Sequence, residues 1–164
     1  MGGIARFSIA LILSALLPQN ISRAAGQIAF DPYYVSKLIG EPAELQIGAD
    51  KLHLMRTFEL AAIDGTSLAG AVTALCHQNK VEDKTSAPST FSCEAYCTWR
   101  DDAGDLIFES YNGGAGPDDN GDVTFGSGLL VGGTGKYRGK TGGFGWANDG
   151  KKGHKRGLYY LPGQ

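Results

Sequence analysis

The sequence predicts an all-β fold, a sandwich or a barrel, in a single domain. After residue 26 no long helical period appears, and the apolar residues fall into short segments of strand length. Turn signals separate these segments, among them Asp64-Gly65, Asn120-Gly121 and Asp149-Gly150. Many short strands with regularly spaced turns are typical of sandwiches and barrels.

Residues 1–26 carry a basic residue, an apolar run over 7–17, and small residues at the end, as secretory signal peptides do. The run is too short to span a bilayer, which takes about 20 residues. A buried N-terminal helix is the alternative, but Pro18 and the polar residues after it favour export. We therefore expect a signal peptide at 1–26, a β-domain at 27–164, and a secreted or periplasmic location.

The elements then follow in order. Residues 30–42 predict at most one short helical turn, at 35–38, bracketed by Pro32 and Pro42. The stretch 80–90 is polar and is predicted to be a mobile loop. The predicted strands are residues 44–48, 52–63, 70–78, 91–99, 106–111, 123–131, 143–146 and 157–161.

The charge of the mature chain argues against nucleic acid as a partner. Without residues 1–26 the chain keeps thirteen basic and seventeen acidic residues, a net charge of −4. A nucleic-acid-binding domain normally presents a basic face. The one basic cluster, residues 151–156, is predicted to be a solvated turn. We expect neither a nucleic-acid nor a membrane partner.

The glycine-rich stretch 132–143 resembles a phosphate-binding loop only superficially. Read back from Gly139, the P-loop pattern requires a glycine where Thr134 stands, and no helical period follows. We therefore expect no nucleotide cofactor. The glycines instead indicate bends, or places where strand backbones pass closely.

Three cysteines remain in the mature chain, which predicts one disulfide and one free thiol. Cys93 and Cys97 lie about 13 Å apart if they share a strand, and a disulfide tolerates only about 7 Å between Cα atoms. Cys76 must therefore pair with one of them. A metal site that also uses His77 is disfavoured, because adjacent strand residues point to opposite faces. We expect no bound metal.

The segment VGGTGKYRG at residues 131–139 resembles the GGTG-x-[FY] hairpin of allene oxide cyclase and dirigent barrels. The stretch 122–128 resembles their preceding strand. The order of Cys97, the turn at 102–106 and this hairpin is similar to exported bacterial proteins with allene-oxide-cyclase-like barrels. The resemblance covers roughly residues 68–146.

This resemblance implies an eight-stranded antiparallel, calycin-like barrel with an apolar cavity, often trimeric, that acts on or guides small hydrophobic molecules. It also implies the pairing of Cys76 with Cys97, leaving Cys93 free and buried. Dirigent-type radical coupling is not expected, because the strand 123–131 has no ionisable residue.

Three residues are candidates for catalysis. Glu59 lies mid-strand on a face shared with Thr57, and Glu109 shares a face with Tyr111. A carboxyl group inside an apolar barrel has a raised pKa and can move protons in a cyclisation or an elimination. Allene oxide cyclases use a glutamate on an early strand, and the resemblance assigns that place to Glu59. The alternative is that both glutamates face water.

We therefore predict an exported barrel that binds a small hydrophobic molecule. A cofactor-independent cyclase, isomerase or lyase activity in its cavity would require one of these carboxyl groups inside. The alternative is a non-catalytic structural or interaction barrel whose core is filled by its own side chains, without a cavity of about 300 Å³ or more.

Overall fold

The computed structural model describes residues 27–66, 71–85, 89–115, 124–148 and 152–160; the predicted signal peptide lies outside them. The strands are β1 (Gln27–Gln46), β2 (Lys51–Thr66), β3 (Ala71–Asp83), β4 (Thr90–Asp101), β5 (Leu106–Ala115), β6 (Thr124–Gly133), β7 (Thr141–Asn148) and β8 (Gly153–Tyr160). Each pairs antiparallel with the next, and β1 also pairs with β8, so one sheet closes into a ring. The predicted all-β fold with eight antiparallel strands is confirmed.

The helical turn predicted at 35–38 is wrong, because these residues belong to β1. β8 pairs with β1 only as far as Tyr34, so within the described part of the chain the rest of β1 has only β2 as a partner in the sheet. Proline is tolerated on such an edge and at bulges. The register shifts between Ile39 and Ala43, a stretch that contains Pro42 and Gly40, whose φ is +71°. We call residues 35–46 the overhang.

The loop predicted at 80–90 is shorter than expected. β3 continues to Asp83, and Lys80 and Val81 pair with Cys93 and Ser92 of β4. The stretch is polar because it lies near one end of the ring, where side chains reach solvent. The polarity of this stretch therefore reflects the position of the strand end near solvent, and it does not indicate that the strand is absent.

Aromatic rings fill much of the ring's interior. The buried aromatic side chains are Phe30, Tyr34, Phe58, Trp99, Tyr137, Phe144, Trp146 and Tyr159. The glycines of β6 make space for two of them: a Cβ at Gly128 would collide with Phe144, and one at Gly126 with Trp146. The glycine-rich part of the chain therefore serves close packing.

One end of the ring is closed by a short 3-10 turn, Gly135–Tyr137. The Tyr137 ring is buried there, and its hydroxyl donates to Oδ2 of Asp101 over 3.0 Å. The Lys136 amine also pairs with the Asp101 carboxylate. We call this the closed end, and the opposite end, beside the overhang, the open end.

A disulfide joins β3 to β4 between Cys76 and Cys97, which stand opposite each other in the register. Cys93 is free and buried. The pairing that the resemblance implied is confirmed.

Candidate functional site

The centre of the ring holds an ion pair between Glu109 of β5 and Lys155 of β8. The two residues are only 2% and 3% exposed, and the Lys155 amine donates to Oε1 of Glu109. Strand alternation turns both side chains inward, and Lys155 lies two residues from glycine on either side, at Gly153 and Gly157. A buried pair of opposite charges is costly to desolvate, which makes it a candidate functional feature.

Four aromatic rings surround the Lys155 amine, and we call them the aromatic cage. Their centroids lie between 4.8 and 5.6 Å from Nζ, a distance typical of cation–π contacts. The cage consists of Tyr34, Trp99, Tyr111 and Phe144. Burial lowers the pKa of Lys155, and Glu109 opposes that effect.

Other polar groups of the cage are also deprived of water. Burial raises the pKa of Tyr34 and of Tyr111, and the Glu109 carboxylate raises both further. Nε1 of Trp99 is buried and has no hydrogen-bond partner among the described residues. The interior thus holds more polar groups than a purely structural core needs.

A line of polar side chains leads from the open end towards the cage. The Nε of Arg56 donates to Oε1 of Gln78 over 2.5 Å, and Nε2 of Gln78 donates to the Tyr111 hydroxyl over 3.4 Å. The Tyr111 ring is 5.4 Å from that of Trp146, edge to face. Tyr111 is itself a member of the aromatic cage, so its hydrogen bond with Gln78 joins the polar line to that cage.

A cavity of about 120 Å³ opens beside this line at the open end. Its walls are Tyr34, Ser36, Leu38, Arg56, Phe58, Leu60 and Asn148. Tyr34 borders both this cavity and the Lys155 amine, 5.6 Å from its ring. At the closed end a void of only about 10 Å³ remains beside Tyr137.

Glu59, a candidate for catalysis, faces water, as the alternative placement predicted, whereas Glu109 does not. Glu59 is exposed on the outer face, paired in the register with Lys37 and Leu75. Its neighbours Phe58 and Leu60 point inward instead, because they bury more apolar surface.

Glu109 and Tyr111 lie inside the ring, and the structure brings them together around the Lys155 amine. Sequence reasoning missed Lys155 because it belongs to a basic cluster predicted to be a solvated turn. That prediction is wrong for residues 153–156, which lie in β8. Because strand residues alternate between faces, Lys155 shares a face of β8 with Tyr159, and this pattern was the available signal that Lys155 points inward.

Among the described residues, no helix is long and apolar enough to cross a membrane. The same residues include no group of three or more His, Cys, Asp or Glu side chains placed to hold a metal ion. Comparison with family models, with curated proteins and with solved structures found no match to this chain. The resemblance to allene oxide cyclase and dirigent barrels therefore stays a prediction.

Proposed function

We propose that this chain is a barrel protein that binds a small hydrophobic molecule at its open end. The cavity beside Tyr34 supports this proposal most directly, because it combines an aromatic and aliphatic wall with a few polar groups. Phe58 and Leu60 supply apolar surface, and the half-buried Arg56 supplies a donor.

The size of the cavity limits the ligand. Drug-sized ligands occupy about 300–1,000 Å³, whereas a cavity of about 150 Å³ holds one benzene ring. At about 120 Å³, this cavity takes a small ring or a branched alkyl end. The remainder of the ligand lies along Leu38, an exposed side chain of the overhang.

A cyclase, isomerase or lyase activity is a second candidate, favoured by the Glu109–Lys155 pair behind Tyr34. A carboxylate and an amine in an apolar interior can exchange protons with a substrate. For this to happen, the Tyr34 ring must move aside so that the ligand reaches the pair. Such an enzyme needs no cofactor.

The competing proposal is a non-catalytic barrel with a filled core. The many buried rings favour it, because they leave little room inside. It predicts that no small molecule binds at the open end.

Location and assembly remain proposals as well. A disulfide is compatible with an oxidising compartment, and we propose a secreted or periplasmic protein. A homotrimer, implied by the resemblance, is tested by light scattering on the purified protein.

The binding proposal is tested by a thermal-shift screen of hydrophobic dyes and oxylipin-like molecules, followed by titration of any hit. Ser36→Phe fills the cavity from an exposed position, and Val35→Phe places the same ring on the opposite face. We expect Ser36→Phe to weaken binding by about tenfold or more and Val35→Phe to leave it unchanged. Equal affinities, or no hit in the screen, would contradict the proposal.

A further inference from the structure

A long groove runs across the outer face of the sheet, away from the open end's cavity. It consists of two adjoining depressions of about 580 and 450 Å³, which share Glu94 and Asn112 in their walls. Each lies within the range of ligand pockets, about 300–1,000 Å³. Neither depression is needed for the binding proposed at the open end.

The register explains why the sheet is hollow here. Tyr96, Ser110, Leu129 and Gly143 stand side by side on four neighbouring strands. Ser110 is small, so the floor is low between Tyr96, 65% exposed, and Leu129, 58% exposed. Gly143 keeps the floor low on the far side of Leu129. A flat aromatic face therefore stands open beside the floor of the groove.

A second row, two residues further along the strands, is polar. Asn79, Glu94, Asn112 and Ser127 are register partners across four strands. All four are exposed. Among the residues that the structure describes, those lining the two depressions include one carboxylate and neither lysine nor arginine.

From this arrangement we propose that the groove binds an uncharged oligosaccharide, with one pyranose ring stacked on Tyr96. A pyranose has an apolar C–H face, which suits an aromatic ring, and a rim of hydroxyl groups. Those hydroxyls donate to the Glu94 carboxylate and both donate to and accept from the Asn112 amide. An acidic saccharide is disfavoured, because its charge would meet Glu94 and no cation among the described lining residues.

The geometry also suits an extended chain. Neighbouring strands lie about 4.8 Å apart, which is close to the length of one sugar unit in an extended glycan. Successive units can therefore meet successive members of the polar row. The proposal predicts that affinity rises with the number of sugar units until the groove is filled.

The proposal is tested by titrating the full chain with uncharged hexasaccharides of glucose, xylose and N-acetylglucosamine. NMR and calorimetry monitor the titrations. We expect at least one hexasaccharide to bind. Tyr96→Ala should weaken the affinity for it by about tenfold or more, and Tyr96→Trp should retain that affinity. Tyr160→Ala removes another exposed tyrosine, which lies outside the groove and is 46% exposed, and serves as the control.

Two results would overturn this inference. One is that none of the hexasaccharides binds at millimolar concentration. The other is that Tyr96→Ala and Tyr160→Ala bind as the unsubstituted chain does. Self-association that Tyr96→Ala abolishes, without saccharide binding, would identify a second copy of the chain as the occupant and would equally reject the saccharide.

Discussion

The Glu109–Lys155 pair is the residue-scale feature on which the interior depends. The two charges compensate each other, the aromatic cage further stabilises the Lys155 ammonium, and neither charge reaches water. Removing one partner leaves an uncompensated buried charge, whereas removing both leaves none. The two cases therefore differ in their effect on stability.

Glu109→Gln and Lys155→Met should each lower the free energy of unfolding by about 3–5 kcal/mol. The double variant should lose less than the sum of the two, because no buried charge remains. Urea unfolding of the four proteins measures this as a double-mutant cycle. Additive losses would show that the two side chains do not interact in solution.

Glycine at the inner face of β6 is required by ring packing. Gly128→Ala should destabilise the protein by about 1–3 kcal/mol, because the added Cβ meets the Phe144 ring. Gly145→Ala is the matched control, since a Cβ there meets nothing nearer than 3.9 Å. Equal unfolding midpoints for the two variants would refute the packing role of Gly128.

At the scale of elements, the closed end depends on Asp101, which holds the 3-10 turn through Lys136 and Tyr137. The hydrogen bond from Lys136 is the main cause that lowers the pKa of Asp101 from 3.8 to about 2. A carboxyl group whose pKa is lower in the folded state stabilises the fold above its unfolded pKa. Its contribution disappears as the pH falls.

Stability should therefore drop between about pH 4 and pH 2, as Asp101 takes up a proton. Asp101→Asn should flatten the dependence of the unfolding free energy on pH in this range. Asp102→Asn, which changes an exposed residue of the same turn, should not. Denaturant unfolding across the pH range measures both. A slope that persists in Asp101→Asn would assign the effect to other groups.

The disulfide between β3 and β4 should contribute about 2–4 kcal/mol to stability. Reducing agent should lower the unfolding midpoint of the unsubstituted chain and of Cys93→Ala alike, since Cys93 is outside the bridge. A Cys76→Ala/Cys97→Ala variant should not respond. Sensitivity to reductant that depends on Cys93 would point to a different pairing.

Strand alternation and turn signals predicted seven of the eight strands near their observed places. β1 was largely missed, because Pro32 and Pro42 are residues that usually end a strand. Pro42 instead lies in the overhang at a register shift, and Pro32 lies where the register with β8 skips two residues. The orientation of β2 was equally hidden: the face that turns inward carries Arg56, which made it look no more apolar than the face with Glu59. Which face is buried depends on the whole ring.

At the scale of the molecule, the site combines residues from strands far apart in sequence. Lys155 meets Glu109 only because β8 closes the ring against β1. No local motif carries that information, and the comparisons with known proteins add none. Among the described residues, the cavity at the open end and the groove outside are separate places, and we propose a ligand for each.

Methyl NMR during a ligand titration tests the central claim, binding at the open end, most directly. With a hydrophobic molecule from the screen, we predict that the methyl signals of Leu38 and Leu60 shift, because both side chains line the cavity. The signal of Leu129, in the outer groove, should stay in place. Shifts confined to Leu129, or no shift at Leu38 and Leu60 at saturating ligand, would contradict the account.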